Sequence, residues 1–356
     1  RESLDIGPGD RLVFSVGRLS RRKGFDQMIR AVAQLRTGGV PVLAMYLRFF
    51  LVSLWLSFNH RFDAIHAFRA LPEGLVAWAV ARLTLRPVVI YAHGEELTTW
   101  GRGGKFKTMR FALRHADRVI ANSEHTRDTL LEMGIDAARI TIIYPGVDVS
   151  VFRPGLDTAG LRESLDIGPG DRLVFSVGRL SRRKGFDQMI RAVAQLRTGG
   201  VPVQYVIAGI GEDADYLDGL IAEHNVRGIV HRIGAVSEAD LPRWMNACDV
   251  FAMPNREING DNEGFGMVFI EAAACGKPSL AGHAGGTGSA VIDGETGLRI
   301  EGTRTNAVAI GLARLLTDEG KRMGRAAIER TQREFSWEKV AEKTAALNQA
   351  EHRSGS

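Results

Sequence analysis

Cysteine is nearly absent. Two occur in 356 residues, Cys248 and Cys275, with no C-x-x-C pair and no grouping of metal-ligand type. So few thiols exclude a disulfide-stapled scaffold, and the pair is expected to sit as free core thiols in a reducing, cytoplasmic compartment. Also missing is an apolar run long enough to cross a bilayer. The strongly apolar stretch from Leu43 to Phe58 stops at 16 residues and carries Arg48, against the roughly 20 that a spanning helix needs. It reads as a buried helix or as a helix lying on a membrane surface. No arginine-rich arm and no basic module interleaved with aromatics appears, which argues against nucleic acid as a partner. The charge leans mildly basic, a formal +5, and suits anionic ligands or an anionic membrane surface. Arg1 is not a methionine and no signal-peptide pattern follows it, so the natural start is expected upstream.

The length suggests two domains, each able to bury its own core. Strands are read at 62–68, 87–93, 118–123 and 140–144, with helices at 73–82 and 124–133 between them. In the second half strands are read near Arg172, Tyr205, Ile229, Val250, Pro278 and Leu298, and from Thr305 the pattern is wholly helical. Such alternation gives mostly parallel sheets and an α/β fold. The turn-rich passage from Pro145 to Gly155 reads as a hinge. It divides the chain into 1–155 and 156–335, and Ser336 is placed as N-cap of a last helix over 336–356. Between Arg102 and Arg118, the basic residues Arg102, Lys105, Lys107, Arg110, Arg114 and Arg118 are interleaved with Phe106, Met109, Phe111 and Leu113. A basic amphipathic helix of this kind lies on anionic lipid or presents a solvated basic face.

Residues 1–42 are identical, letter for letter, to residues 162–203. An old structural repeat drifts at surface positions, so identity of this length points to a recent duplication, a chimera or an assembly error. Each copy reads as a strand (11–16; 172–177), a basic loop and an amphipathic helix.

The chemistry concentrates between Asn255 and Gly297. An apolar run, 249–254, reads as a buried strand, and a helix is expected to open at Phe265 and to end on Cys275 and Gly276. The turn between them carries Gly264 and Gly266 and the carboxylate of Glu263, and Glu271 follows eight residues on, about two helical turns away on roughly the same side. A strand-to-helix junction in an open α/β sheet is where ligands bind, and the free N–H groups of the helix start favour an anion such as phosphate.

At these residues the chain resembles the retaining GT-B glycosyltransferases of the glycosyl transferases group 1 family. The likeness rests on two glutamates with seven residues between them, Glu263-GFGMVFI-Glu271. It extends to A-A-A-C-G-K-P after them and to Gly285-Gly286 ahead of D-G-E-T-G, ending at Gly297. It covers residues 43 to 350 and is strongest from 172 to 300. The resemblance implies two Rossmann-like domains with an interdomain cleft and a metal-independent, retaining hexosyltransferase without cofactor. The donor would be a UDP- or GDP-sugar, and the acceptor a glycan or a lipid-linked sugar, reached from the cytoplasm or the inner face of the membrane. Arg179 and Lys184 are assigned to the diphosphate, Glu263 to hydroxyls of the transferred sugar and Glu271 to the ribose. Gly209 and the backbone of Gly264, Phe265, Gly266, Met267 and Val268 complete the implied donor site. His93, in the H-G-E segment that ends a strand of the first half, would hold a sugar hydroxyl in the cleft. The implied final helix crosses back onto the N-terminal domain.

The chain also departs from that pattern. The N-terminal glycine-rich loop is replaced by the duplicated loop Arg18–Gly24, Tyr144 stands where asparagine is commoner, and residues 285–289 lack the usual proline and acidic residue. Two other readings therefore stand beside transfer. One is a non-catalytic chimera that binds nucleotide through its C-terminal domain; the other is a GT-B phosphorylase or epimerase.

The repeat supplies an internal control. Both copies carry the same loop, but only the second is followed by the chain that supplies Glu263 and the helix start. Lys184→Ala and Arg179→Ala are expected to lose nucleotide affinity and activity on the order of a hundredfold, whereas Lys23→Ala and Arg18→Ala should leave affinity nearly unchanged. Equal losses at Lys23 and Lys184, measured by calorimetry, would instead mean that the two copies exchange places.

Overall fold

The computed structural model describes residues 13–16, 42–60, 62–99 and 103–354. Arg18, Lys23 and Arg102, and the helix expected in the first repeat copy, lie outside them. The described chain divides into two compact units. The first takes the residues up to Asn122, Thr126–Ile142 and those from Ala346 on; the second takes Ser123–His125 and Ile143–Ala345.

In chain order the first unit supplies β1 (Val13–Val16), α1 (Val42–Asn59), β2 (Ala64–Ala67), α2 (Leu75–Thr84), β3 (Val88–Ala92), α3 (Gly104–Arg114), β4 (Arg118–Ala121), α4 (Glu124–Glu132, whose first two residues count with the second unit) and β5 (Ile140–Ile142). The five strands pair in that order, every pair parallel. Ile65, Ile90, Met109, Leu113, Val119 and Leu130 fill its core. The helix expected from Glu73 is an α-helix from Leu75, entered through a π-helical turn over Ala70–Gly74 that includes Glu73 and is interrupted at the extended Leu71. Burial does not describe α1, since Leu47, Leu51, Trp55 and Phe58 form an outward stripe, Trp55 61% exposed. Its inward side holds Ser53 and Ser57, the Ser57 hydroxyl donating to Ser53 O at 2.8 Å. These small residues let α1 lie close on α2. Among the described residues no helix is long and apolar enough to cross a membrane.

The second unit contains β6 (Arg172–Val177), α5 (Phe186–Thr198), β7 (Val203–Ala208), α6 (Ala214–Glu223), β8 (Val230–Gly234), α7 (Leu241–Ala247), β9 (Val250–Met253), α8 (Met267–Ala274), β10 (Ser279–Gly282), β11 (Gly297–Ile300), α9 (Thr305–Leu315), α10 (Asp318–Glu334) and α11 (Trp337–Ser354, whose residues from Ala346 on count with the first unit). Its parallel sheet runs β11-β10-β9-β6-β7-β8. Strands buried on both faces read as continuous apolar runs, and every residue of β7, β9 and β10 is buried. Side chains alternate across the sheet. Val174, Tyr205, Ile207 and Ala252 join one core, and Leu173, Phe175, Val206 and Phe251 the other. Helix α5 covers the first with Phe186, Met189, Ile190 and Val193, a stripe at helical spacing in which each large side chain contributes about 1.5–3 kcal/mol.

Strand order reverses between β6 and β9, which pair at Val174↔Val250 and Phe175↔Phe251. Sequence neighbours run outward from this seam in both directions, so the loops leaving the carboxyl ends of β6 and β9 face the crevice where such sheets bind ligands. Cys248 and Cys275 are free and buried, and burial pushes both thiols up to about 12. Ser336 caps α11 as expected, its Oγ accepting from Lys339 N at 3.3 Å.

Candidate active site

The loop after β6 carries the cations. Arg179 points into solvent, 74% exposed, and its Nε lies 2.9 Å from Glu212 Oε2. An ion pair this exposed holds it weakly. Residues Arg182–Lys184 then form one tight turn that closes on Gly185, left-handed at φ 78°. A Cβ at Gly185 would lie 2.2 Å from Pro254 O, so only glycine lets this turn cross the end of β9.

The loop after β9 docks on that turn. Arg256 N donates to Arg183 O at 2.8 Å. The Arg256 guanidinium forks onto the buried Asp187 carboxylate, both bonds 3.0 Å. Asn259 and Gly260, both at positive φ, reverse the chain between two mutual Ile258–Asp261 hydrogen bonds, as an Asn-Gly hairpin turn does. The chain returns to place Glu263 against the cations. Lys184 Nζ is 2.6 Å and Arg183 Nη1 3.1 Å from the same oxygen, Glu263 Oε2, all three side chains about 15% exposed or less. Arg183 Nε also meets Asp261 Oδ2 at 3.2 Å.

Burial works against a charge on Glu263, but Lys184 and Arg183 outweigh it and hold the carboxyl below its usual range. Asp187 and Glu263 thus take up cations from both loops. Arg183, Arg256, Asp187 and Asp261 were not singled out from sequence. The Asn259-Gly260 pair was the local signal that could have found this hairpin.

Helix α8 starts at Met267, not at Phe265, because Gly266 sits at φ 92° and a helix cannot include it. In its first turn Phe269 N donates back to Gly266 O at 3.0 Å, and the N–H groups of Met267 and Val268, ahead of it, have no partner within the helix. The Phe265 ring is a core anchor, 5.8 Å from both Tyr144 and Phe335. Glu271 is buried on α8, 5% exposed. The glycine pair is a packing element: a Cβ on Gly285 would come within 2.1 Å of Glu263 O, and one on Gly286 within 2.0 Å of Gly264 O. Gly286 N donates to Glu263 O at 2.6 Å. The acidic group missing from this loop is supplied by Glu124, which accepts from the Ser289 and Tyr144 hydroxyls. Burial, reinforced by Glu124, pushes the Tyr144 hydroxyl far above its ordinary pKa.

Gly209 is committed elsewhere, its N–H donating to Gly234 O at 2.7 Å. His93 belongs to the first unit, exposed at the end of β3. Its Nε2 carries a proton to Phe68 O at 2.7 Å, and its carbonyl accepts from Asn122 Nδ2 at 2.9 Å. The structure therefore brings Lys184 and Glu263 together and leaves Arg179 on Glu212. Among the described residues no group of three or more His, Cys, Asp or Glu could hold a metal ion.

Comparison with known proteins gives this geometry a context. Residues 157–333 match the family described as Glycosyl transferases group 1, and residues 12–151 match Glycosyltransferase Family 4. A GDP-mannose-dependent alpha-(1-6)-phosphatidylinositol monomannoside mannosyltransferase of Mycolicibacterium smegmatis is 32% identical over 268 residues, covering 73% of this chain and 69% of that protein. The chain belongs to the glycosyl transferases group 1 family. A D-inositol 3-phosphate glycosyltransferase of Mycolicibacterium gilvum is 36% identical over 228 residues, 62% of this chain, and the match spans 49% of that protein's length. Among solved structures, Anabaena HepE in complex with UDP superposes with TM-score 0.79 at 21% identity, over 96% of this chain and 100% of that one. Sucrose-phosphate synthase of Thermosynechococcus elongatus gives 0.73 at 25% identity, over 88% and 81%. The glycosyltransferase thus has the two-domain α/β architecture of the GT-B type.

Because the folded-state pKa of Glu263 is depressed, its ion pairs stabilise the fold above the ordinary carboxyl range and are lost as pH falls through the lowered value. Glu263→Gln is expected to unfold roughly 3 kcal/mol more easily near neutral pH. Denaturant titrations repeated below pH 4 should show that gap closing; a gap independent of pH would mean that the carboxylate charge contributes nothing.

Proposed function

We propose that this glycosyltransferase moves a sugar from a nucleotide-diphosphate sugar to an acceptor, with retention at the anomeric carbon and without a metal. The observation that carries the reading is the convergence of Lys184, Arg183 and Glu263 at the strand-order reversal, beside the start of α8. A leaving diphosphate gains charge as the glycosidic bond breaks, and preorganised cations and helix N–H groups stabilise it at no reorganisation cost. Lys184, with Arg179 released from its weak pair, takes the phosphates; the N–H groups of Met267 and Val268 add theirs. Glu271, buried with the helix, receives the ribose hydroxyls, and Glu263 those of the transferred sugar. A carboxylate held ionised by two cations is a weak base, so the acceptor proton goes to a donor phosphate oxygen on the face from which the leaving group departs. His93 holds a sugar hydroxyl. The names of relatives that act on phosphatidylinositol monomannoside and D-inositol 3-phosphate support an acceptor bearing an inositol phosphate.

Calorimetric titration with UDP, GDP and ADP tests the donor half. Glu271→Ala is expected to weaken the preferred nucleotide by about 1–3 kcal/mol, and Glu263→Ala to weaken the sugar nucleotide more than the free nucleotide. Equal affinities for wild type and both variants would refute the assignment, and tight binding without transfer to any acceptor would favour the nucleotide-binding chimera.

The first unit favours work at the cytoplasmic face of an anionic membrane. The unit exposes the stripe of α1, Leu83 and Leu85 at the end of α2, and Phe111 of α3, which packs edge-on against Trp78 at 4.9 Å. Lys105, Lys107 and Arg114 are exposed on the same helix as Phe111. Arg110 is not part of this face, because its Nε is tied to Met133 O at 2.7 Å. Binding to phosphatidylserine vesicles should fall steeply with salt and drop when Lys105, Lys107 and Arg114 are neutralised. Absence of binding at low salt, or binding indifferent to salt, would leave only a solvated basic face.

A further inference from the structure

Two consecutive residues, Arg183 and Lys184, place their charges on one oxygen of Glu263, but they are held very differently. Arg183 is held by two hydrogen bonds, Nη1 donating to Glu263 at 3.1 Å and its carbonyl accepting from Arg256 N at 2.8 Å, and by an ion pair of Nε with Asp261 at 3.2 Å that lacks hydrogen-bond geometry. Arg256 is in turn locked onto buried Asp187. Lys184 makes its 2.6 Å contact from the end of a flexible alkyl chain. Arginine's planar fork suits a permanent bridge between two carboxylates, whereas an ammonium is a compact charge that can move to a stronger anion. If Lys184 turns to a diphosphate, Glu263 would stay behind as a buried carboxylate without its nearest cation. An uncompensated buried charge of that kind is strongly unfavourable.

We propose that Arg183 is a positioning residue: bridged to Asp261, it keeps the Glu263 carboxylate charged and aimed at the transferred sugar while Lys184 leaves for the donor diphosphate. The inference rests on the reading of Lys184 as a phosphate ligand and assigns to Arg183 a role distinct from phosphate binding. Arg179 and Lys184 set affinity for any nucleotide diphosphate; Arg183 sets the extra affinity that the sugar adds.

The test compares each free nucleotide with its sugar form, UDP with UDP-glucose and GDP with GDP-mannose, by calorimetry on the full chain. Arg183→Gln should leave free-nucleotide affinity within about twofold, lose roughly tenfold in sugar-nucleotide affinity and lower kcat, tenfold being the scale of one charge-assisted hydrogen bond. Arg183→Lys keeps a charge near Glu263 but not the bridge, and should recover most of the loss while remaining below wild type. Should the glutamine variant fail to fold, Asp261→Asn, which removes the bridge and leaves both cations, must still lower the sugar-nucleotide preference. Equal losses for both ligand forms would make Arg183 one more phosphate cation and overturn the proposal, as would no loss in either. The underlying reading fails separately: Lys184→Ala would then leave free-nucleotide affinity intact. If Lys184→Ala does weaken the free nucleotide and Arg183→Gln spares the sugar preference, only the present inference falls.

Discussion

The pairing of β6 with β9 is the constraint on which the site depends. These strands lie far apart in sequence, yet they run side by side at the centre of the second sheet with buried residues on both faces. Their carboxyl ends deliver two loops to one place, a cationic turn and an acidic hairpin. Neither loop is a binding site alone. The turn without the hairpin would be a solvated basic surface, and the hairpin without the turn would carry a buried carboxylate with nothing to offset its desolvation.

Charge and backbone packing reinforce one another there. Asp187, in the first turn of α5, takes both nitrogens of Arg256, and Glu263 takes Arg183 and Lys184, so the loop after β9 is fastened both to the turn after β6 and to the helix that follows it. The glycines act in the same sense. Gly185 lets the turn cross the Pro254 carbonyl, and the Gly285–Gly286 pair lies on the backbone of Glu263 and Gly264. Glycine in such a motif is needed first for close approach of chains; whether it also meets a ligand is a separate question, and at Gly209 the N–H is already spent on Gly234.

The loop at 285–289 shows how a departure from a family pattern can be absorbed. With no acidic residue of its own, it receives one from Glu124, whose carboxylate accepts from Ser289 and Tyr144. The unusual Tyr144 and the altered loop are thus one arrangement seen at two places in the chain. Arg330 completes it by donating to the carbonyls of Ser289 and Ala290 at 2.7 and 3.0 Å.

Sequence periodicity by itself was enough for the alternation of strands and helices, the parallel sheets, the capping of α11 by Ser336 and the paired glutamates, because each depends on residues a few positions apart. It could not decide which face of α1 is covered, since that depends on the helix lying against Ser53 and Ser57. Nor could it find the partners of Glu263, because ion pairs across about 80 residues leave no local period. The repeat makes the division plain. The same four residues form an edge strand as Val13–Val16 and the last four residues of a central strand as 174–177, and the same valine opens a helix at Val42 and a strand at Val203. Identical local sequence meets different neighbours, and the burial those neighbours offer selects the outcome.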